Sequence, residues 1–542
     1  MITLGISPFH DSSVVLLQDE KILRFYKEER LSRKKRDKSP YLSLIAALKD
    51  ISHVDLIVYS APIHNEKYLN NLLEFISKLT TFTDVIDLSN KHHLQHASMS
   101  FYNSGFSDSA VIVIDRNGSD FMNSCREAET IFMASYPSNF IEVYKSYWMY
   151  SNAGHEAARV LKEDMPECEI DIRSQFNITK VYETATSLIG QHPLENGKTM
   201  GLSAYGNKEV EFEDLFNLGT SIPRDFNLSH IDEYGDYEAV YEPFINMCTK
   251  DVNKDNYQPY ADYAWQVQKQ TQDAVCILID KAVSLGAKNI CISGGYGLNV
   301  VANSYYRERY PLISFYFEPL SDDSGNSIGG AYLGYRATTL DKNIYPLKNT
   351  FFHGEMVDLK EEPGILYSTS DVAGDISKHK IIAVFGGLSE AGPRALGNRS
   401  ILFYPDLTET KDIVNKVKNR EWYRPFAASV LEEDAENLFY MNNLKNEYMT
   451  ESFAVKEKTK SLFPGIVHVD GSCRVHTVGK NSPLYELLTE VKKITGYGIV
   501  LNTSFNLAGE PLVDSWEDAK NTFYRSEIDI LWNRDIGKVL IK

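Results

Sequence analysis

A chain of 542 residues is too long for one hydrophobic core and predicts two or three domains. Its formal net charge of −18 excludes a protein that coats nucleic acid or anionic membranes non-specifically, while 43% hydrophobic and 24% charged residues is ordinary for a soluble globular fold. No apolar run is long enough to span a bilayer, and the six cysteines (Cys125, Cys168, Cys248, Cys276, Cys291, Cys473) form no C-x-x-C, which predicts reduced thiols in a cytoplasmic enzyme.

The opening stretch, MITLGISPFHDSSVVLLQ, has no basic leader and no small-residue cleavage site, so it is expected to be the first strand. At 30–38, RLSRKKRDK holds six basic residues in nine. A solvated loop explains such a run; so would capture of an anionic acceptor, a nucleotide or nucleic acid, or contact with a membrane or a partner. KHHLQHAS at 91–98 carries three of the thirteen histidines. On a helix, His92 and His96 are i and i+4 and share a face, the spacing that presents two imidazoles to one metal. A polar helix end with solvated rings has the same spacing, so oxygen ligands must come from elsewhere. SAVIVIDRNGSD (109–120) places Asp115 just past a buried strand, where ligand sites form.

A long helical pattern from 262 stops at Gly286, a natural helix end. Strand 289–293 follows, then Gly294 and Gly295, then a second helix near Leu298. Glycines between strand and helix let a phosphate approach the backbone, although a tight turn needs them too. In FEPLSDDSGNSIGGA, either Asp322 or Asp323 could cap the next helix while the other binds a ligand. Periodicity is lost around 340–350, which sets a domain boundary there. Beyond a strand at 378–387, residues 391–424 hold seven basic residues against four acidic ones. A solvated helix face accounts for 411–421 but not for GPRALGNRS, where planar guanidiniums on loops suit phosphate or carboxylate. No low-complexity tract or 20–50-residue repeat is visible, and strands alternate with helices, which predicts an α/β chain.

Ten motifs, in order, carry a resemblance to the NodU/CmcH-type O-carbamoyltransferases: FHDSS, EERLSR, HHLQHA, GKTMGLSAYG, SGGYGLN and DSGNSIGGA, then GPRALGNRSI, VKNREWYRPFAASV, DGSCRVHTV and LNTSFNLAGEP. The resemblance implies an actin/sugar-kinase-like ATPase fold for residues 1–345, a connection over 346–375, and a smaller YrdC-like α/β domain over 376–542. It implies that the C-terminal domain makes carbamoyl adenylate from carbamoyl phosphate and ATP, and that the N-terminal domain passes the carbamoyl group to a hydroxyl.

By resemblance, His92, His96, Asp115 and Asp323 bind a divalent metal. The ligand types suit Fe(II), Mn(II) or Zn(II), and the family implies iron. His93, about a quarter turn away, is expected to support the site or the fold. Gly294, Gly295 and Asn299 match nucleotide-binding positions. Lys418, Arg394, Arg424 and Arg474, with Asn502 and Ser504, match positions that handle carbamoyl phosphate and ATP with Mg. His10, Asp11 and Lys198, in the 197–206 loop, fall where the acceptor is chosen. Two departures stand out: Arg116 replaces a glycine of an Asp-Gly-x-Gly pattern, and Tyr296 replaces a smaller residue. Two other functions stay open. A tRNA threonylcarbamoyl-type transferase is opposed by the acidic charge, with only the 30–38 run to serve nucleic acid. A non-catalytic actin-like nucleotide-binding regulator is opposed by retention of the four metal-ligand candidates. The acceptor and the oligomeric state, a homodimer included, have no sequence signal.

Overall fold

The computed structural model describes residues 1–150, 154–173, 177–210, 212, 214–217 and 252–542. Cys248 lies outside them; the five described cysteines are free. Among the described residues, the expected α/β organisation is present as three mixed sheets of seven, seven and nine strands.

Ile2–Ser7 is buried along almost its whole length, so it reads as a continuous apolar run covered on both faces. It pairs antiparallel with Ser13–Gln18, which pairs antiparallel with Lys21–Lys27; on its other side lie His53–Tyr59 and Thr81–Asp87, both parallel. The second sheet repeats this plan. Asp108–Ile114 is at its centre, antiparallel to Cys125–Ser135 and through it to Asn139–Met149; Asn289–Ser293 and Ser314–Phe317 continue parallel on the other side. This repeated order is the architecture expected of an actin/sugar-kinase-like half.

Helices His92–Ser104 and Asn326–Thr339 lie between the two sheets and against each other. They approach closely because Gly329 has no side chain: a Cβ there would lie 2.1 Å from the Gln95 carbonyl oxygen. Phe101, fully buried in this layer, would cost about 3–5 kcal/mol if cut to alanine. The expected helix from 262 runs over Gln258–Ser284, and Gly286 ends it with φ +92°.

The third sheet has its own apolar core, running from Val372 to Val539. Strand Ile382–Phe385 lies between Ile530–Asn533 and Arg399–Phe403; beyond the latter come Ile499–Ser504, Ala427–Leu431 and Ser472–Val478. The chain weaves between sheets on the way. Phe351–His353 joins the first sheet beside Lys21–Lys27, Ile365–Leu366 pairs with Lys538–Ile541 of the third, and Ser389–Glu390 returns to the first sheet. Among the described residues no helix is long and apolar enough to cross a membrane.

Candidate active site

Three parallel strands of the second sheet end side by side, and their ends build one wall of a cavity. Asp115 follows Asp108–Ile114, Gly294 and Gly295 follow Asn289–Ser293, and Asp322 and Asp323 follow Ser314–Phe317. The two aspartates divide the work that the sequence left open between them. Asp322 Oδ1 accepts the Ser324 N–H at 3.2 Å and caps the turn, while Asp323 faces the histidines.

His92 and His96 meet these carboxylates from helix His92–Ser104. His92 Nε2 lies 3.3 Å from Asp115 Oδ2 and 3.5 Å from Asp323 Oδ1, and His96 Nε2 lies 3.3 Å from Asp323 Oδ1. One ligand atom from each of the four lies within 4.8 Å of the others. The second oxygen of Asp115 is held by the Gly295 N–H at 2.9 Å, which fixes the carboxylate. Burial alone would depress the His92 imidazole, but Asp323 and Asp115 outweigh it and raise it to about 10. Burial works against ionisation of Asp323 too, and His92 and His10 hold its carboxyl well below the usual range. Two imidazoles facing two ionised carboxylates in a buried space form a donor set that fits a divalent cation, without choosing between Fe, Mn and Zn. His93 points elsewhere: its Nδ1 pairs with Thr130 Oγ1 at 2.8 Å, and burial lowers it to about 4.

His10 and Asp11 reach the same place from the turn between the first two strands. His10 Nδ1 lies 3.3 Å from Asp11 Oδ2, and its Nε2 lies 3.5 Å from Asp323 Oδ2. Arg116, in the glycine position of the family pattern, pairs with Glu183, which Lys180 also meets at 2.9 Å. Tyr296 turns into the core, where its hydroxyl bonds Thr271 Oγ1 at 3.0 Å.

The opposite wall comes from the third sheet and is dominated by cations. Lys418 Nζ donates to Ser504 Oγ at 3.1 Å and Asn506 Oδ1 at 3.0 Å, and Arg394 donates to the Leu298 carbonyl at 3.0 Å. Burial, then the nearby arginines, pulls Lys418, Arg394 and Arg420 well below their ordinary values, and burial with Arg424 brings Arg474 to about 10. Such crowding opposes folding unless an anion shares the space, so the wall is built for phosphate-like charge.

Both walls enclose one cavity of about 400 Å³, lined by Asp115 and Asp323 on one side and by Arg394, Arg424, Arg474, Asn502 and Ser504 on the other. His10, Asp11, Gly295 and Asn299 line it too. Gly294 serves the turn behind the wall, and Lys198 sits in ion pairs with Glu195 and Glu421, both at 2.6 Å. Asn299 caps helix Val300–Arg309 by accepting the Ala302 N–H at 3.1 Å. Sequence reading missed Arg420 and Arg36 as lining residues. Arg420 was visible as one more cation beside Lys418 and Arg424; Arg36 was hidden inside a run that reads as solvated. That run is largely used within the chain: Arg30 donates to Ser389 Oγ at 3.0 Å, Arg33 to the Leu512 carbonyl at 2.8 Å, and Lys35 meets Glu195 at 3.3 Å.

Residues 55–332 match the family model described as carbamoyltransferase N-terminus, and residues 373–542 the one described as carbamoyltransferase C-terminus. An uncharacterized Methanocaldococcus jannaschii protein is 30% identical over 474 residues, covering 82% of this chain and 72% of its own. Nodulation protein NolNO of Sinorhizobium fredii is 28% identical over 583 residues, covering 98% and 79%. Among solved structures, HypF of T. kodakarensis aligns with a TM-score of 0.36 at 12% identity, over 62% of this chain and 48% of that one. With both terminal models matched in order over most of its length, the chain belongs to the carbamoyltransferase family and is an enzyme of that class.

Proposed function

We propose that this carbamoyltransferase consumes ATP and carbamoyl phosphate and delivers the carbamoyl group to a hydroxyl of a small-molecule or nucleoside acceptor. Residues 376–542 carry the activation and residues 1–345 the transfer, with 346–375 between them. The observation that carries this reading is the single cavity shared by the imidazole–carboxylate cluster and the arginine cluster.

In the activation half, water attacks carbamoyl phosphate, and the bond between its acyl oxygen and phosphorus breaks to give carbamate and phosphate. A carbamate oxygen then bonds to the α-phosphorus of ATP, and pyrophosphate leaves. Lys418, Arg394, Arg424 and Arg474 neutralise the phosphate oxygens, while Ser504, which accepts from Lys418 and donates to Asn506 Oδ1, holds the lysine beside them. In the transfer half, the acceptor hydroxyl oxygen bonds to the carbamoyl carbon, the bond from that carbon to the AMP oxygen breaks, and the hydroxyl proton passes to solvent. Gly295 and Asn299 line the side where the nucleotide lies, and His10 and Asp11 the side where the acceptor enters. A divalent cation held by His92, His96, Asp115 and Asp323, with iron the family's expectation, would supply positive charge beside the acyl and phosphate oxygens.

The test is to incubate the chain with carbamoyl phosphate and ATP and measure pyrophosphate and AMP, then to search acceptor pools by mass spectrometry for a product heavier by one carbamoyl group. Pyrophosphate release that requires carbamoyl phosphate is the expected result. Its absence in the metal-loaded protein would overturn the activation step.

A further inference from the structure

Arg394, Arg420, Arg424 and Arg474 line the cavity and can only donate, whereas Asn502 beside them carries an amide oxygen that accepts. Asn502 is 1% exposed and lines the cavity. Its Nδ2 donates to the Ala395 carbonyl at 3.1 Å and to Ser429 Oγ at 2.9 Å. A carbonyl can only accept, so this pair of bonds fixes which end of the amide is nitrogen. The other end, Oδ1, is buried and has no hydrogen-bond partner. An amide oxygen left in that state costs about 1–3 kcal/mol unless a ligand donates to it.

The sheet also sets what lies beside that oxygen. In the register of Ala427–Leu431, Ala427 is opposite Asn502 on one neighbouring strand and opposite Arg474 on the other. Residues in register share a face, so Asn502 and Arg474 stand on one face with only a methyl group between them. Ser504, two residues along from Asn502, is on the same face and is held by Lys418. A bay results, with cationic groups for an anion and, in Asn502 Oδ1, an unpartnered acceptor for an N–H. Behind Asn502, Ser429 Oγ is 2.9 Å from His476 Nδ1; burial lowers that ring to about 3 and keeps it neutral, so Nδ1 can accept a hydrogen bond from the Ser429 hydroxyl and leave the Ser429 oxygen free to accept from Asn502.

We infer that Asn502 Oδ1 is the group that recognises the carbamoyl amino group, selecting carbamoyl phosphate over acyl phosphates that carry a methyl in its place, with Ser429 and His476 as positioning residues that hold the amide in that orientation. The inference rests on the proposed use of carbamoyl phosphate. A site built to bond an N–H discriminates strongly against a ligand lacking it, because its own polar group is then stranded.

Two stable phosphonates separate the possibilities: phosphonoacetamide, which keeps the amino group, and 2-oxopropylphosphonate, which replaces it with methyl. Both are titrated calorimetrically into the full-length chain and its variants. The wild type is expected to prefer phosphonoacetamide by about 100-fold. Asn502→Leu should lose that preference while binding 2-oxopropylphosphonate as the wild type does, and Ser429→Ala should reduce the preference about 10-fold with the same constant for the methyl ligand. Equal binding of both ligands by the wild type, or an intact preference in Asn502→Leu, overturns the inference while leaving carbamoyl phosphate use standing. Loss of both ligands in Asn502→Leu also overturns it, since Asn502 would then act by holding the Arg394 loop through Ala395. A wild type that binds neither and releases no pyrophosphate with carbamoyl phosphate fails at the underlying reading instead.

Discussion

Gly294 and Gly295 are adjacent, yet alanine at each should fail in a different way. Gly294 has φ +84° and ψ 166°, a region that residues with a Cβ almost never enter. A Cβ there would lie 2.3 Å from the Ile114 carbonyl oxygen, and that oxygen belongs to the central strand of a buried sheet and cannot move aside. The backbone strain is about 1–3 kcal/mol and the overpacking about as much again, so Gly294→Ala should cost about 2–6 kcal/mol. It should also move the Gly295 N–H that holds Asp115 at 2.9 Å and weaken divalent-cation binding about 10–100-fold, as loss of a supporting bond behind a ligand does. Gly295 lies outside the left-handed region, and its added Cβ would meet only Asp115 Oδ1, at 3.3 Å. Gly295→Ala should therefore fold with under about 1 kcal/mol lost and act mainly inside the cavity. Urea denaturation gives the first quantity and calorimetric titration with Mn(II) the second. Wild-type stability and wild-type cation affinity in Gly294→Ala would refute this account of the turn.

Replacing both His92 and His96 with alanine should remove the bound divalent ion, read by elemental analysis, while circular dichroism stays that of a folded protein; full occupancy would end the ligand assignment. Arg394→Ala or Lys418→Ala should lower carbamoyl-phosphate-dependent pyrophosphate release by 100-fold or more, whereas His96→Ala should spare it and block transfer. If the intermediate stays in the shared cavity, a dilute mixture of Arg394→Ala and His96→Ala chains should transfer no better than either alone; recovery of wild-type yield would show that it diffuses freely. Burial pushes the Glu318 carboxyl up from an ordinary 4.5 to about 7, against bonds from the Leu320 N–H at 2.9 Å and Asn103 at 3.1 Å. The folded state thus holds that proton more tightly, so its stabilising contribution is full below about pH 4.5 and is lost as pH rises through 7. Glu318→Gln should flatten that part of the pH–stability curve in urea titrations, and an unchanged slope would count against it.

Local chemistry was legible in the sequence where a feature depends on near neighbours. The i, i+4 histidines share a face because a helix repeats every 3.6 residues, and Asp115 follows its strand because the apolar run ends there. Local sequence gave Asp322 and Asp323 two roles without sorting them, since the cap is decided by backbone angles that the sequence does not print; only the family resemblance pointed to Asp323 as the ligand. Pairings between distant segments were not legible. Nothing local says that Phe351–His353 and Ser389–Glu390 complete a sheet begun at Ile2, or that two sheets share one strand order. Two-residue and three-residue strands carry no usable periodicity, and a repeated plan made of unrelated side chains leaves no repeat in the letters. Part of the 30–38 run was illegible for the same reason: Ser389, Leu512 and Glu195, which Arg30, Arg33 and Lys35 reach, lie more than a hundred residues away.

The shared cavity is also a constraint on how the halves can work. The segment that carries Arg420 and Arg424 is held by the N-terminal half as well as by its own sheet. Lys198 reaches Glu421 at 2.6 Å, the Trp422 ring packs on Tyr205 at 5.1 Å and on Tyr257 at 5.2 Å, and His468 meets the Gly201 carbonyl at 3.0 Å. On the far side, Arg307 pairs with Glu451 at 3.0 Å and Asn303 donates to the Thr450 carbonyl at 2.9 Å. Removing one half would leave these partly buried groups without partners and open the arginine wall to water, where charge–phosphate contacts weaken severalfold. A reactive acyl adenylate made against that wall would then meet solvent before it met the acceptor. On the proposed division of activation and transfer, the contacts between the halves would serve the chemistry: they hold the arginine wall in place, and they would keep the interval between the two steps dry.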